Sequence, residues 1–417
     1  MLNVMHSFQA ALTFVLDTPA YTLPPDLLVK ARALEHLHVA LYFGGTAWTL
    51  LALGLLLRWR VGAALAGWAR RVTMRRGGGA FAGRPFLEGL LVAPAWLLIL
   101  AGIALPGALV GHTASLRYGL SVERWGAWWG DWVKGELLTL VIGTLVLAGL
   151  FALLRRSPRL WWVWFWAGLQ PFVMLGVYLS PLVIDPLFNH FTPLARQSPV
   201  LVGRLKQIAA LGGLRIPPER MFVEDASRRS TGMNAYVTGI GGSKRIVVWD
   251  TTLAKVPPDE ILAIYAHEQG HYVLGHIWKG IVFSAALLFV LLALLATLLR
   301  SCVRSGGARW HIGDESDWAA LPVLLLLAAC LSFVSEPVAN AWSRMDEHAA
   351  DVYGQRLLTR LLPNAAQIEV EDFNRLGRAW LEDPRPNGFV VWWTYTHPPL
   401  ADRAENARKM GRGLGAL

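Results

Sequence analysis

The segments His267-Glu268-Gln269-Gly270-His271 and, much later, Glu347-His348-Ala349-Ala350-Asp351 carry the residue types of a hydrolytic metal centre. On an α-helix, residues four apart lie about 40° apart around the axis, so His267 and His271 share one face. Two imidazoles so placed grip one Zn²⁺ and leave positions for a third protein ligand and a water. Glu268, next to the first histidine, reaches that water as general base. Glu347, on a second helix, is the candidate third ligand. Asp351, one turn further on, falls where a carboxylate can orient a ligand histidine. The set implies one Zn²⁺ per chain.

Elements must hold these groups in place. Pro257, Pro258, Asp259 and Glu260 are helix-start residues with acid in the first turn, and Ile261, Leu262, Ile264 and Tyr265 supply a buried face. Upstream, Met221–Glu224 reads as a short strand. Asn234–Val237 and Arg245–Trp249 read as a hairpin around Gly239-Ile240-Gly241-Gly242. An edge strand beside the histidine helix would hold a peptide through main-chain hydrogen bonds.

Composition sets the surroundings. The chain has 417 residues, 54% hydrophobic and only 16% charged, which is too apolar for an ordinary soluble protein. Six stretches reach the roughly 20 residues a bilayer crossing needs, near 39–57, 90–110, 137–154, 161–184, 281–299 and 318–338. Trp161, Trp162, Trp164 and Trp166 cluster at one span's start as interfacial aromatics do. Met1–Tyr21 is too short and interrupted to span and has no basic start, so it is not read as a signal peptide. Gly77–Gly79 marks a loop. Cys302 and Cys330 are too few for a disulfide scaffold and are read as structural. The net charge of +10 comes from arginines flanking spans, not from a nucleic-acid reading helix.

The expected fold is mainly α, a polytopic membrane helix bundle of about six transmembrane helices with a small α+β metallopeptidase domain. Residues 1–184 hold four spans, 185–276 the hairpin and histidine helix, 277–342 two spans, and 343–417 the third ligand and a late His397-Pro398-Pro399 motif. Two spans between the halves of the metal site return the chain to the same face, so the site can assemble. Arg58, Arg60, Arg70, Arg71, Arg75, Arg76 and Arg84 lie in one loop and Arg155, Arg156 and Arg159 in another. Positive-inside logic puts those loops in the cytoplasm and the metal site outside.

Several motifs in order resemble the type I CAAX prenyl proteases, integral-membrane zinc metallopeptidases, over roughly 86–410. They are Arg117-Tyr118-Gly119-Leu120 with Gly126, Asp131 and Lys134; Asp185-Pro186-Leu187-Phe188-Asn189 through Phe191-Thr192-Pro193-Leu194; Ser227–Ser230 leading to Asn234-Ala235-Tyr236; and Lys244–Val247 with Asp250-Thr251. The histidine helix with Gly275-His276 follows. Asn340, Ser343, Arg344, Glu347, Ala350 and Asp351 come next, and Trp393, Tyr395, His397-Pro398-Pro399-Leu400 and Arg403 close the series.

The resemblance implies a ring of membrane helices around a chamber, with zinc held by His267, His271 and Glu347 and water activated by Glu268. Asn234, Ala235 and Tyr236 would lie on the substrate strand. His397 and Arg403, which composition alone leaves as turn residues, would sit near the scissile carbonyl. Asn340, Arg344 and Asp351 would support the ligands from behind. It also implies a cytoplasmic site, against the arginine count, and that side is adopted because folded-domain topology is harder to change than loop charge. Two departures stand out: Gly232-Met233 replace the family's usual His-Ser, and Asp346 replaces an aromatic before the zinc glutamate. His276, nine residues after His267, falls on roughly the opposite helix face and is read as a helix-end residue.

The combined reading is a membrane-embedded zinc endopeptidase, a multi-pass protein of a bacterial inner membrane. It acts as a monomer on a peptide or protein substrate, lipidated or not, without nucleic acid. Its rival is a quality-control protease or holding protein for misfolded clients. A transporter is disfavoured because Glu88, Glu136 and Glu336 are too few to line a path.

Overall fold

A computed structural model describes residues 19–74 and 85–414. The Gly77–Gly79 loop, Arg75, Arg76, Arg84 and nearly all of the Met1–Tyr21 segment lie outside the described residues. Within them are six helices long and apolar enough to cross a membrane. They are α1 (Pro25–Arg58), α3 (Pro85–Arg117), α4 (Trp125–Arg156), α5 (Trp161–Leu179, continued by a π turn and a short helix to Phe188), α8 (His276–Trp310) and α9 (Leu321–Thr359). Each contains one of the expected spans. A shorter helix, α2 (Val61–Thr73), follows α1.

The spans close into a cycle. α1 packs on α9 and α3, α4 on α3 and α5, and α8 on α5 and α9. One end of the ring is sealed by a core to which all six spans contribute, including Leu53, Trp96, Phe151, Trp161, Leu295 and Leu321. Trp318, just before α9, stacks on Phe151 with ring centroids 4.0 Å apart. The loops at this end carry the arginines and are tied together. Arg60 Nε donates to Arg309 O at 3.0 Å, Arg300 Nη2 donates to Pro158 O at 3.2 Å, and Arg70 pairs with Asp317.

The opposite end carries the polar domain. Its sheet has four strands: β1 (Phe191–Pro193), β2 (Met221–Glu224), β3 (Ala235–Thr238) and β4 (Arg245–Trp249), in the order β1-β2-β4-β3. β2 and β4 are parallel, while β1 and β3 pair antiparallel to their neighbours. The hairpin forms as expected, and β3 is left at the edge. Strand β1 had no reading from sequence, because a three-residue strand ending in Pro193 has too little pattern to recognise.

Helix α6 (Pro199–Leu211), the histidine helix α7 (Pro258–Val273), the far half of α9 and α10 (Ala365–Trp380) pack with the sheet around one core. That core includes Leu205, Ile246, Leu262, Tyr265, Leu358 and Ile368. A short helix, α11 (Gly388–Thr394), and α12 (Leu400–Leu414) complete the chain.

Candidate active site

Two helices make the site by crossing closely. A Cβ on Gly354 of α9 would lie 2.9 Å from His267 N, and one on Gly270 of α7 would lie 3.1 Å from Ala350 Cα. At Gly354 only glycine permits that approach, and at Gly270 a methyl group would be tight; the crossing brings Glu347 over the histidine face of α7. His267 Nε2 and His271 Nε2 lie 3.1 Å apart, His267 Nε2 is 3.3 Å from Glu347 Oε2, and His271 Nε2 is 3.4 Å from Glu347 Oε1. Tetrahedral zinc with bonds of about 2.0–2.1 Å requires donors roughly 3.3 Å apart. Glu347 Oε2 is also buried without a hydrogen-bond partner. Donor types, spacing and the orphaned oxygen therefore fit a bound metal ion.

Each histidine is held from behind. His267 Nδ1 lies 2.8 Å from Asp351 Oδ1, so its N–H donates there and Nε2 presents its lone pair to the cluster. Asp351 is itself clasped by Arg403, with Nε–Oδ2 at 2.9 Å and Nη2–Oδ1 at 2.6 Å. Arg403 Nη2 also comes within 3.3 Å of His267 Nδ1, and its guanidinium lies over the Phe373 ring. The structure thus places Arg403 against Asp351 and His267, at the wall of the site.

His271 has a partner that helical spacing misplaced. Its Nδ1 is 3.0 Å from His276 Nδ1, and His276 Nε2 is 3.6 Å from Asp346 Oδ1. The expectation that His276 faces away fails because α7 ends at Val273. Gly275 takes a left-handed φ of 72°, and α8 starts in a new direction. A wheel drawn through that break has no meaning. Asp346, the departure noted in sequence, closes this second chain of contacts.

Glu268 faces the sheet. The Val237 N–H of β3 donates to Glu268 Oε2 at 3.4 Å. Burial pushes the carboxyl's pKa up, while the two neighbouring imidazoles pull it down. Asn234 O accepts from Trp249 N–H at 3.0 Å and Asn234 N–H donates to the Thr252 hydroxyl, so Asn234 faces β4. By alternation Ala235 and Val237 turn their main-chain groups to the free edge. The Tyr236 side chain is committed elsewhere, its hydroxyl donating to Glu224 Oε2 at 2.8 Å.

His397 Nε2 stands 3.3 Å from Glu347 Oε1, and its Nδ1 lies 2.8 Å from the Thr396 hydroxyl. Asn340 and Arg344 do not touch the ligands. Asn340 donates to Trp393 O, and Arg344 donates to Val391 O at 3.1 Å and to Tyr395 O. They lie two turns and one turn before Glu347, where α9 faces α11, so they clamp the backbone that leads to His397.

Glu369 and Asp372 escaped the sequence reading, yet both line the cavity beside His267 and Glu268. The signal was present. In α10 the inward stripe runs 365, 368, 369, 372, 373, 377 at helical spacing, and two of its members are acids among apolar residues.

Known proteins resemble this chain along most of its length. The model of peptidase family M48 matches residues 199–411. A second, described as the CAAX prenyl protease N-terminal region with five membrane helices, matches residues 22–190, where this chain has four long spans and the shorter α2. The uncharacterized metalloprotease YhfN of Bacillus subtilis is 35% identical over 315 residues, 75% of this chain and 71% of that protein. The CAAX prenyl protease 1 homolog of Oryza sativa is 30% identical, and CAAX prenyl protease 1 of Saccharomyces cerevisiae 27%. The matches span 62% and 64% of those two proteins. Among solved structures, the crystal structure of S. mikatae Ste24p superposes with a TM-score of 0.77 at 21% identity, covering 92% of this chain and 90% of that one. At that identity the likeness establishes the fold.

Proposed function

The chain belongs to peptidase family M48, as a multi-span membrane metallopeptidase, and from that premise we propose that it is a zinc endopeptidase hydrolysing peptides laid along β3. The observation that carries this reading is the convergence of His267, His271 and Glu347 at 3.1–3.4 Å beside Glu268 and a free strand edge.

Zinc held by these three residues would polarise the scissile carbonyl and acidify a water. The residues of the chain do the rest. Ala235 offers its main-chain N–H and C=O, and Val237 its C=O, to align an extended peptide without demanding a sequence. Glu268 takes the proton of the attacking water and returns it to the leaving amine. Its raised pKa brings it closer to neutrality, where proton acceptance and return are balanced. His397, at the solvent edge of the cluster, is positioned to donate from Nε2 to the developing oxyanion. Asp351 and Arg403 hold His267 in the ligating tautomer. Asn340 and Arg344 hold the segment carrying His397.

One chain supplies every part of the site, so the active unit is read as a monomer in the bilayer. The names of the CAAX prenyl protease relatives make a prenylated peptide a candidate substrate. The test is hydrolysis of a quenched fluorescent peptide, with and without a prenyl group, by detergent-purified protein before and after chelation. Cleavage that chelation abolishes and Zn²⁺ restores is expected. Glu268→Gln should keep its zinc and lose hydrolysis by three orders of magnitude or more; wild-type turnover by that variant would sink the mechanism.

A further inference from the structure

A cavity of about 150 Å³ adjoins His267 and Glu268 at the Asn234–Ala235 end of β3. α10 lines it with Glu369, Asp372, Phe373 and Leu376. The charges around it do not balance. Arg403 is taken by both oxygens of Asp351, and Arg375 by both oxygens of Glu260 at 2.7 and 3.0 Å. Glu369 and Asp372 are left without a cation of their own.

They are 7% and 4% exposed, and neither makes a hydrogen bond or close ion pair among the described residues. Asp372 Oδ1 is shut away from solvent with no partner. Buried carboxyls without partners cost stability, and an apolar residue at either position would continue the α10 stripe. Burial holds both groups well above the usual carboxylate range, Asp372 at about 8.

We propose that this cavity is a subsite for a cationic side chain, lysine or arginine, of a substrate residue flanking the scissile bond, with Glu369 and Asp372 selecting it. The proposal rests on the peptidase reading of the adjoining site. The cavity equals in volume one that holds a benzene ring, enough for a long side chain. Phe373 and Leu376 would flank its methylenes, and the cationic head would reach the two carboxyls. On entry of the cation an acid gives up its proton to solvent, and the resulting ion pair replaces two unpartnered groups. Arg403 does not oppose this, because Asp351 already neutralises it.

The experiment uses peptides with lysine, arginine, norleucine or glutamine at each residue flanking the cleaved bond. At one of the two positions, lysine or arginine should exceed norleucine at least tenfold in kcat/KM. In the Glu369→Gln/Asp372→Asn double variant that ratio should fall toward one. A ratio does not depend on the fraction of protein that is folded, so partial loss of structure leaves it readable. The same peptides are titrated against zinc-loaded Glu268→Gln protein, which reads the subsite without turnover. Equal affinities and rates for lysine and norleucine at both positions would overturn the proposal, as would a preference for glutamine or one that survives the double variant. Cleavage without preference removes the subsite and leaves the peptidase. Lysine-selective binding without cleavage by the wild type keeps the subsite and removes the peptidase.

Discussion

At the residue scale, the two candidate ligand histidines differ in how they are held. His267 leans on a carboxylate that is itself clamped by Arg403, whereas His271 leans on a second imidazole and reaches a carboxylate, Asp346, only through it. Such supporting contacts set a ligand's tautomer and orientation, and losing one costs about 10–100-fold in metal affinity. His276→Ala should therefore weaken zinc binding by that factor in a chelator competition; an unchanged affinity would show that the contact is idle. Asp372 gives a second prediction. Its folded-state pKa of about 8 lies far above the roughly 3.9 of an unfolded aspartate. The folded state thus binds the proton more tightly. The stability this confers is complete below about pH 4 and is lost as pH rises through 8. Asparagine at 372 stays neutral throughout. Between pH 5 and 9 the wild type should lose more Tm than Asp372→Asn, and parallel pH profiles would show that the carboxyl does not titrate high.

At the element scale, the site depends on how near α7 and α9 come. The side chains that set this distance are absent ones, at Gly270 and Gly354. Gly354→Ala puts a methyl group against the His267 backbone, and overpacking of this kind costs about 1–3 kcal/mol. A shift of 1 Å in a catalytic group costs on the order of 100-fold in rate. The variant should fold with a lowered Tm and show a drop in kcat of that size. Normal kcat would mean that the helices can separate without disturbing Glu347. The strands show what sequence could and could not reveal. The β3–β4 hairpin was legible from its β-branched and aromatic runs around a glycine-rich turn, whereas β1 was too short to carry any pattern. Asn340 and Arg344 belong to the motif that leads to Glu347, but only the position of α11 shows that they hold backbone carbonyls.

At the scale of the whole molecule, the six spans form a closed ring with a plugged, arginine-bearing end and an end that carries the candidate site. The parity expected from counting spans holds, since α8 and α9 leave and re-enter the face that carries α7. The structure adds Arg300, Arg304 and Arg309 to the basic end, near the close of α8. That layer pulls the basic end toward the cytoplasm, while the family resemblance puts the catalytic end there. A cysteine placed at the exposed Lys255, probed with a membrane-impermeant maleimide, decides between them. Protection in intact cells and labelling after lysis is the outcome the resemblance requires. Labelling of intact cells would mean that arginine charge governs the orientation.

The candidate metal ligands, the candidate general base, the spans and the edge hairpin were readable in the chain alone. Each of these is written in local periodicity, 3.6 residues for a helix, two for a strand and about 20 for a bilayer. Closure of the ring, the return of His276 to His271, the clamp of Arg403 on Asp351 and the missing partner of Asp372 Oδ1 emerge only once the elements are packed. These depend on how one element meets another, and their geometry is set by a left-handed turn at Gly275 and by the spacing of packed helices. Neither has a period that a sequence pattern can show.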